Sequence, residues 1–337
     1  MKRALVTGAG GFIGGAIVRE FLAQGWAVDA AVRRCVPDEL RAAAAEGRVR
    51  LRVADLSDPS SSAALFAPEA GRAPVDAVVH GAGRASDTGR RSAFRRANYD
   101  AVRHLAAAAL ARGAGRFVFV STTDVYGLRD FRGEAEDALP LRADPPHPYP
   151  AFKIAAEQWL RANLPPDRWT ILRPGAVWGP GDRTLTPRLV AFLRGSPFII
   201  HFGPWRGTNR WPLAHVRNVA GAACLAATSP DASGRAINVL DTERTSVDEW
   251  TRLVAARFLP RRRFRTLCLP RWVGAGFGWP VERLSSALNL AHPFADPTRY
   301  AARSISANLD FDNARLRALF AAAGRALVTR AEGWRDL

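Results

Sequence analysis

The chain of 337 residues carries 48 lysines and arginines against 31 aspartates and glutamates, a formal net charge of +17, and is 48% hydrophobic and 23% charged. That composition excludes a disordered or collagen-like chain and leaves room for one large or two intertwined domains with an ample core. Lys2 and Lys153 are the only lysines, so the positive charge is nearly all arginine and reads as a solvated basic surface without a nucleic-acid partner.

Cys35, Cys224 and Cys268 are far apart and form neither a disulfide framework nor a CxxC pair, which points to a reducing, cytoplasmic setting. Met1-Lys2-Arg3 precedes a small and apolar run, yet the run is glycine-rich and lacks an A-x-A-like cleavage site, so no processed leader is expected. No segment offers the roughly 18 apolar residues needed to span a bilayer.

The predicted elements alternate from the N-terminus. A strand at 4–6 runs into Thr7-Gly8-Ala9-Gly10-Gly11-Phe12-Ile13-Gly14, after which Ile13, Ile17 and Phe21 recur at helical spacing. Gly8 permits a tight turn, Gly11 lets a pyrophosphate approach backbone N–H groups, and Gly14 lets helix and strand pack closely. A strand before and a helix after are the context such a turn requires, so Gly8, Gly10, Gly11, Phe12, Ile13 and Gly14 are assigned to a dinucleotide. The second strand, 28–32, ends Ala31-Val32-Arg33-Arg34. An acid there would bind a ribose 2′-OH and an arginine a 2′-phosphate, so Arg33 and Arg34 favour NADP(H), with NAD(H) possible.

The third strand, 49–56, ends at Asp55-Leu56, which puts a carboxylate near the adenine amino group. The fourth, 75–80, ends in His80-Gly81-Ala82-Gly83, small residues able to pass beneath a cofactor. His80 reads as a hydrogen-bonded strand-end residue without chemistry. Beyond a helical stretch at 102–112, the fifth strand, 117–121, delivers Ser121-Thr122-Thr123-Asp124-Val125-Tyr126-Gly127 at its carboxyl end. A hydroxyl there would hold a substrate oxygen and share its developing charge. Thr122 is the first choice and Ser121 the second, since alternate strand residues face opposite ways.

Tyr149 and Lys153 stand four apart, behind Pro145, Pro146 and Pro148, and the residues at 151–160 read as helix. Both side chains then share one face. With four tyrosines and two lysines in the chain, a chance pair at this spacing has an expectation of about 0.02. A free phenol is too weak an acid to serve as a base at neutral pH, so the Lys153 ammonium is expected to pull the Tyr149 phenol down while also binding cofactor ribose hydroxyls.

Strands at 169–172 and 236–240 complete an α/β pattern of the Rossmann type, a doubly wound parallel sheet covered on both faces. Between 175 and 216 the pattern breaks into Gly, Pro and aromatic residues, and after 241 it is helical and irregular. Residues 1–174 plus about 217–245 are therefore expected to form the NAD(P)-binding domain. About 175–216 plus 246–337 form a smaller, sequence-interleaved substrate lobe over the carboxyl edge of the sheet. In that lobe Arg261-Arg262-Arg263-Phe264-Arg265 precedes Leu267, Leu269, Trp272, Val273, Phe277 and Trp279, a stretch suited to an anionic membrane surface or a lipid-like substrate. Asn209, Arg210 and Arg217 offer the alternative of gripping a nucleotide diphosphate.

With these pieces in place the chain resembles the extended short-chain dehydrogenase/reductase family over almost its whole length: TGAGGFIG at 7–14, VADL at 53–56, Asn98 before a helix, STTDVYG at 121–127, YPAFK at 149–153, LRPGAVWGPGD at 172–182 and RWPLAHVRNVA at 210–220. The resemblance implies a tightly held nicotinamide cofactor and a catalytic group of Thr122, Tyr149 and Lys153. It also implies cofactor contacts from Gly81, Ala82, Gly83, Asn98 and Pro174, substrate contacts from Asp124 and Arg210, and a helix-to-helix homodimer. Asn98 reads mainly as helix-positioning. In the dehydratases of that family the catalytic Thr is followed by Asp-Glu, whereas Thr123-Asp124 follows here, which counts against dehydration. The AVRR ending is similar to NADPH-using dihydroflavonol-type reductases and 3β-hydroxysteroid dehydrogenases. The expected reaction is therefore ketone/secondary-alcohol redox on a small molecule, with nucleotide-sugar 4-epimerisation as the alternative and a non-catalytic NADP-binding regulator as the third reading.

Overall fold

A computed structural model describes residues 1–34, 36–68, 74–273 and 298–337. Seven parallel strands make the central sheet in the order β10-β6-β5-β4-β1-β2-β3. They are β1 (Arg3–Thr7), β2 (Ala27–Val32), β3 (Val49–Val53), β4 (Ala77–His80), β5 (Arg116–Val120), β6 (Trp169–Pro174) and β10 (Ala236–Val239). The inner strands are buried on both faces, which is why they read as nearly continuous apolar runs.

Alternation along each strand splits the core into two layers. Ala4, Val6, Ala77, Val79, Val118 and Val120 pack on one face with Ile17 and Phe21 of α1 (Phe12–Ala23) and Val219 and Ala223 of α8 (Val216–Ala226). Leu5, Val78, Phe117 and Phe119 pack on the other with Val102 and Leu105 of α5 (Ala101–Ala111) and Leu160 of α6 (Pro148–Asn163). The same parity puts His80 on the second face, its ring 6.1 and 6.0 Å from those of Phe117 and Phe119. β3 stops at Val53 rather than at residue 56. Val53 is exposed at the sheet edge, and Asp55 turns the chain by accepting from both the backbone N–H and the hydroxyl of Ser57.

The interval 175–216 contains short elements that its Gly and Pro content hid. β7 (Ala176–Trp178) pairs with β9 (Leu213–His215), and β8 (Phe198–Phe202) pairs with β11 (Arg265–Leu269), both in parallel. Trp178, Trp250 and Trp334 meet in a small core of their own, with ring centroids 5.1 to 5.9 Å apart. One part of the expected division is corrected. The helix Ala314–Ala322 packs against α8 and β10, and its Leu316, Leu319 and Phe320 complete the first sheet layer, so this C-terminal stretch covers the Rossmann sheet instead of the lobe.

Candidate active site

The carboxyl ends of β1, β4 and β5 converge on one cleft. Gly8 leaves β1 with φ of +71°, and a Cβ on it would lie 2.8 Å from the Ala82 nitrogen, so only glycine fits the turn. A Cβ on Gly14 would come within 2.0 Å of the Gly8 carbonyl oxygen, which explains how α1 can start against the turn. Gly11 is exposed at the N-terminus of α1, where no side chain caps the helix, and half-buried Gly10, Phe12 and Ile13 flank it. The first-turn N–H groups are thus left for an anion, and this cradle fits the pyrophosphate of a dinucleotide.

Around that cradle, Leu56 is buried and Asp55 is held below the usual carboxylate range, first by its Ser57 bonds and then by the nearby Arg33 and Arg34. Both arginines are exposed at the end of β2. Gly81, Ala82 and Gly83 run between the glycine turn and α6. A Cβ on Gly83 would sit 2.8 Å from Asn98 Oδ1 and 3.5 Å from Lys153 Nζ. Asn98 lies in a single π-helical turn, Arg96–Asp100. Its Oδ1 accepts from the Arg84 N–H at 2.8 Å and its Nδ2 donates to the Arg84 carbonyl at 3.0 Å, so it pins the segment leaving β4. Pro174 is the buried last residue of β6. His80 is fully buried against Thr7, 2.9 Å away, and burial and then the Lys153 charge push its pKa down to about 3, so it is a neutral packing residue.

α6 supplies the acid–base pair. His147 caps it, its Nδ1 accepting the Tyr149 N–H at 3.1 Å, and Pro148 follows in the first turn. Tyr149, Lys153 and Glu157 then recur every four residues along one face. Lys153 Nζ donates to the Val120 carbonyl at 2.7 Å and lies 6.0 Å from the Tyr149 ring centre. Burial lowers its pKa to about 8 even though the Glu157 carboxylate works in the opposite direction. Thr122 is extended at the end of β5 and its Oγ1 accepts the Asp124 N–H at 3.2 Å. Ser121 faces the other way and donates to Glu157 Oε1 at 2.6 Å, so of the two hydroxyls Thr122 is the one in the cleft.

The phenol itself departs from expectation. Burial and then the neighbouring Asp124 push Tyr149 well above its ordinary value, with only the Thr122 bond acting downward, so without cofactor it is a protonated acid and not a phenolate. The Lys153 ammonium that was expected to lower it donates one hydrogen bond to the Val120 carbonyl, 2.7 Å away.

Several residues at the site carry no motif. Glu157 is fully buried and bonded to Arg173 of β6 at 2.5 and 3.1 Å, and Arg173 donates to Tyr126, so the tyrosine of the 121–127 segment is structural. Asp124 accepts the Tyr300 hydroxyl, and the Tyr300 ring stands 4.4 Å from that of His147. Asp87 binds Arg188 at 2.6 Å and Thr298 at 3.3 Å. Glu157 could have been found from its four-residue spacing; Tyr300, 151 positions from Tyr149, had no local signal.

The residues offered for a diphosphate make contacts within the fold. The Asn209 amide donates to the Ile305 and Ala307 carbonyls, Arg210 donates to the Arg244 carbonyl, and Arg217 pairs with Asp336. Of the basic and aromatic stretch, Trp272 is exposed and Leu267 lies at the margin of exposure, while Phe277 and Trp279 fall outside the described residues, as does Cys35. Cys224 is buried and Cys268 half-buried, both as free thiols. Among the described residues there is no cluster of metal-binding side chains and no helix long and apolar enough to cross a membrane.

Residues 4–239 match the model of the NAD dependent epimerase/dehydratase family. The chain is similar to a 2-alkyl-3-oxoalkanoate reductase of Stenotrophomonas maltophilia, 34% identical over 77% of each chain. It is also similar to a 3 beta-hydroxysteroid dehydrogenase/Delta 5-->4-isomerase of Mycobacterium tuberculosis, 26% identical over 88% of this chain and 80% of that one. Among solved structures it resembles MoeE5 in complex with UDP-glucuronic acid and NAD, 25% identical, covering 100% of this chain and 97% of the other with a TM-score of 0.67. The chain therefore belongs to the NAD dependent epimerase/dehydratase family, within the extended short-chain dehydrogenases/reductases.

Proposed function

We propose that the protein is an NADP(H)-dependent oxidoreductase that reduces a ketone on a lipid-like substrate to a secondary alcohol. The observation that carries this reading is a protonated Tyr149 whose ring centre lies 6.0 Å from the Nζ of the buried Lys153, with Thr122 at the end of β5 close by, an arrangement suited to giving a proton to a carbonyl oxygen. When bound, the nicotinamide supplies the hydride to the carbonyl carbon. Thr122 holds the substrate oxygen, Tyr149 protonates it, and the Lys153 ammonium steadies the phenolate that is left.

Two further observations favour a lipid-like ketone over a nucleotide sugar. The relatives at 34% and 26% identity are named for a 3-oxoalkanoate and a 3-hydroxysteroid. Asn209 and Arg217, the residues suited to a diphosphate, are occupied within the fold. Exposed Arg33 and Arg34 after neutral Val32 support NADP(H) over NAD(H).

The test is to incubate the purified protein with NADPH and 2-alkyl-3-oxoalkanoates, 3-oxosteroids or a UDP-hexose. Stoichiometric NADPH oxidation with an oxo acid or steroid is the expected result. Interconversion of the UDP-hexose without net cofactor consumption would establish the epimerase, and NADPH binding with no turnover of any of them the regulator.

A further inference from the structure

A cavity of about 460 Å³ lies beside β10, the outermost strand of the sheet, and none of the described residues assigned to cofactor or acid–base chemistry lines it. Four arginines reach it from separate elements: Arg161 from the last turn of α6, Arg173 from β6, Arg235 from the entry to β10 and Arg315 from the helix Ala314–Ala322. Their charges are unevenly matched. Arg173 is bonded to Glu157, and Arg315 to Asp137, which also lines the cavity. Arg161 only approaches Glu157, at 3.9 Å, with its guanidinium 4.9 Å from the Trp169 ring centre. Arg235 is exposed and makes no side-chain hydrogen bond or ion pair among the described residues. Glu136, from the short turn Glu136–Ala138, is the opposite case. It is 4% exposed, and its Oε1 accepts the Asn238 N–H at 2.7 Å. Its Oε2 is buried without a hydrogen-bond partner, and Arg315 Nε, 3.8 Å away, is beyond hydrogen-bond reach. The wall that presents it is fixed, because Tyr126 donates to Asn238 Oδ1 at 2.8 Å and accepts from Arg173 at 2.7 Å.

We propose that this cavity is a second ligand site, for a small hydroxylated anion whose carboxylate or phosphate groups bind Arg161 and Arg235 and whose hydroxyl donates to Glu136 Oε2. A buried acceptor without a partner marks a place for a donor, and two guanidiniums short of carboxylates mark a place for an anion. Both demands fall on one molecule. A neutral polyol would leave the arginines unmet, and a bare oxyanion would leave Glu136 Oε2 unpaired with a second negative charge beside it. The volume lies within the roughly 300 to 1,000 Å³ usual for small-molecule sites. Hydroxylated polycarboxylates and polyol phosphates share the required chemistry. The site stands apart from the oxidoreductase reading, because binding there calls for no turnover.

The experiment pairs anions that differ by one hydroxyl. With NADPH present to occupy the glycine cradle, the full-length protein is titrated calorimetrically with citrate and with tricarballylate, its counterpart without the hydroxyl. Glycerol 3-phosphate and propyl phosphate form the second pair, and the pair that binds more tightly identifies the anionic group. Burial raises the Glu136 carboxyl while the Asn238 N–H and Arg315 act downward, so the titrations are run at pH 8, where the carboxylate is ionised. In at least one pair the hydroxylated anion should bind about tenfold more tightly. Arg235→Ala should weaken it by about threefold to fivefold, and adding Arg161→Met, which keeps the stem over Trp169, by tenfold or more. Glu136→Gln should narrow the advantage of the hydroxyl to about twofold, because the other anion gains once the buried charge is gone. Failure of both hydroxylated anions to bind overturns the site. So does equal binding within each pair, which would be general attraction to a basic surface, binding unchanged in the double arginine variant, or an advantage unchanged in Glu136→Gln. Thermal midpoints without ligand check folding, and Arg235→Ala, which removes an exposed side chain, keeps the test open if Glu136→Gln does not fold.

Discussion

The cofactor side and the substrate side of the cleft are built in different ways. Gly8 to Gly14 and Tyr149 to Glu157 are contiguous stretches in which one turn or one helix face sets the geometry. The proposed substrate wall is assembled from Asp87, Asp124, Arg188, Thr298 and Tyr300, which four separate segments bring together. Contiguous parts bind and transfer what every member of such a family handles, while dispersed parts are free to differ. Substitutions on the two sides should accordingly fail in different ways.

The largest effect is expected on the shared side. Tyr149→Phe removes the proton donor and keeps the ring, so turnover should fall about 10³-fold with NADPH affinity retained. Single-turnover kinetics beside a fluorescence titration of NADPH checks both halves, and near-normal turnover would remove Tyr149 from its role. Glu157→Gln comes next. It leaves the Arg173 guanidinium buried with one partner fewer, at a cost of about 3 kcal/mol measurable by denaturant unfolding. It also takes away the charge that holds Lys153 up, so the alkaline limb of activity should begin below pH 8.

That limb has a sign that separates activity from stability. The Lys153 pKa is about 8 in the folded chain against 10.5 as its ordinary value, so the unfolded chain binds the extra proton between those values. Stability should therefore gain up to roughly 3 kcal/mol from this group as pH rises through that window. Activity should decline over the same window as the ammonium beside Tyr149 is lost. Activity and thermal midpoint that fall together above pH 8 would show that Lys153 is not the group responsible.

How much of this was readable beforehand follows the same contrast. The glycine turn, the alternation of strands and helices, the opposite facing of Thr122 and Ser121 and the shared helix face of Tyr149 and Lys153 depend on periods of two and 3.6 residues and on backbone space, which a sequence displays. The state of Tyr149 was misjudged because it depends on what surrounds it. Burial raises the phenol, and Asp124 adds a charge of the wrong sign. Asn209 and Arg217 looked ready for a diphosphate because their type suits one, and only tertiary contacts reveal that the fold already uses them. The same holds for the helix Ala314–Ala322, whose apolar residues specify burial without specifying against which partner.

The smallest expected effect lies where the two sides diverge least from ordinary surface. Arg33 and Arg34 are exposed, and an exposed ion pair in water is worth about 1 kcal/mol or less, so no single one of them should dominate cofactor binding. Arg33→Ser should weaken NADPH by about threefold to fivefold and leave NADH within twofold, because only the 2′-phosphate distinguishes the two. The effect should shrink as salt is raised, since screening acts on exposed charges first. Equal loss for both cofactors would place Arg33 near the pyrophosphate, on the common part of the molecule. No loss for either would leave the choice of cofactor to Arg34 or to residues off this strand end.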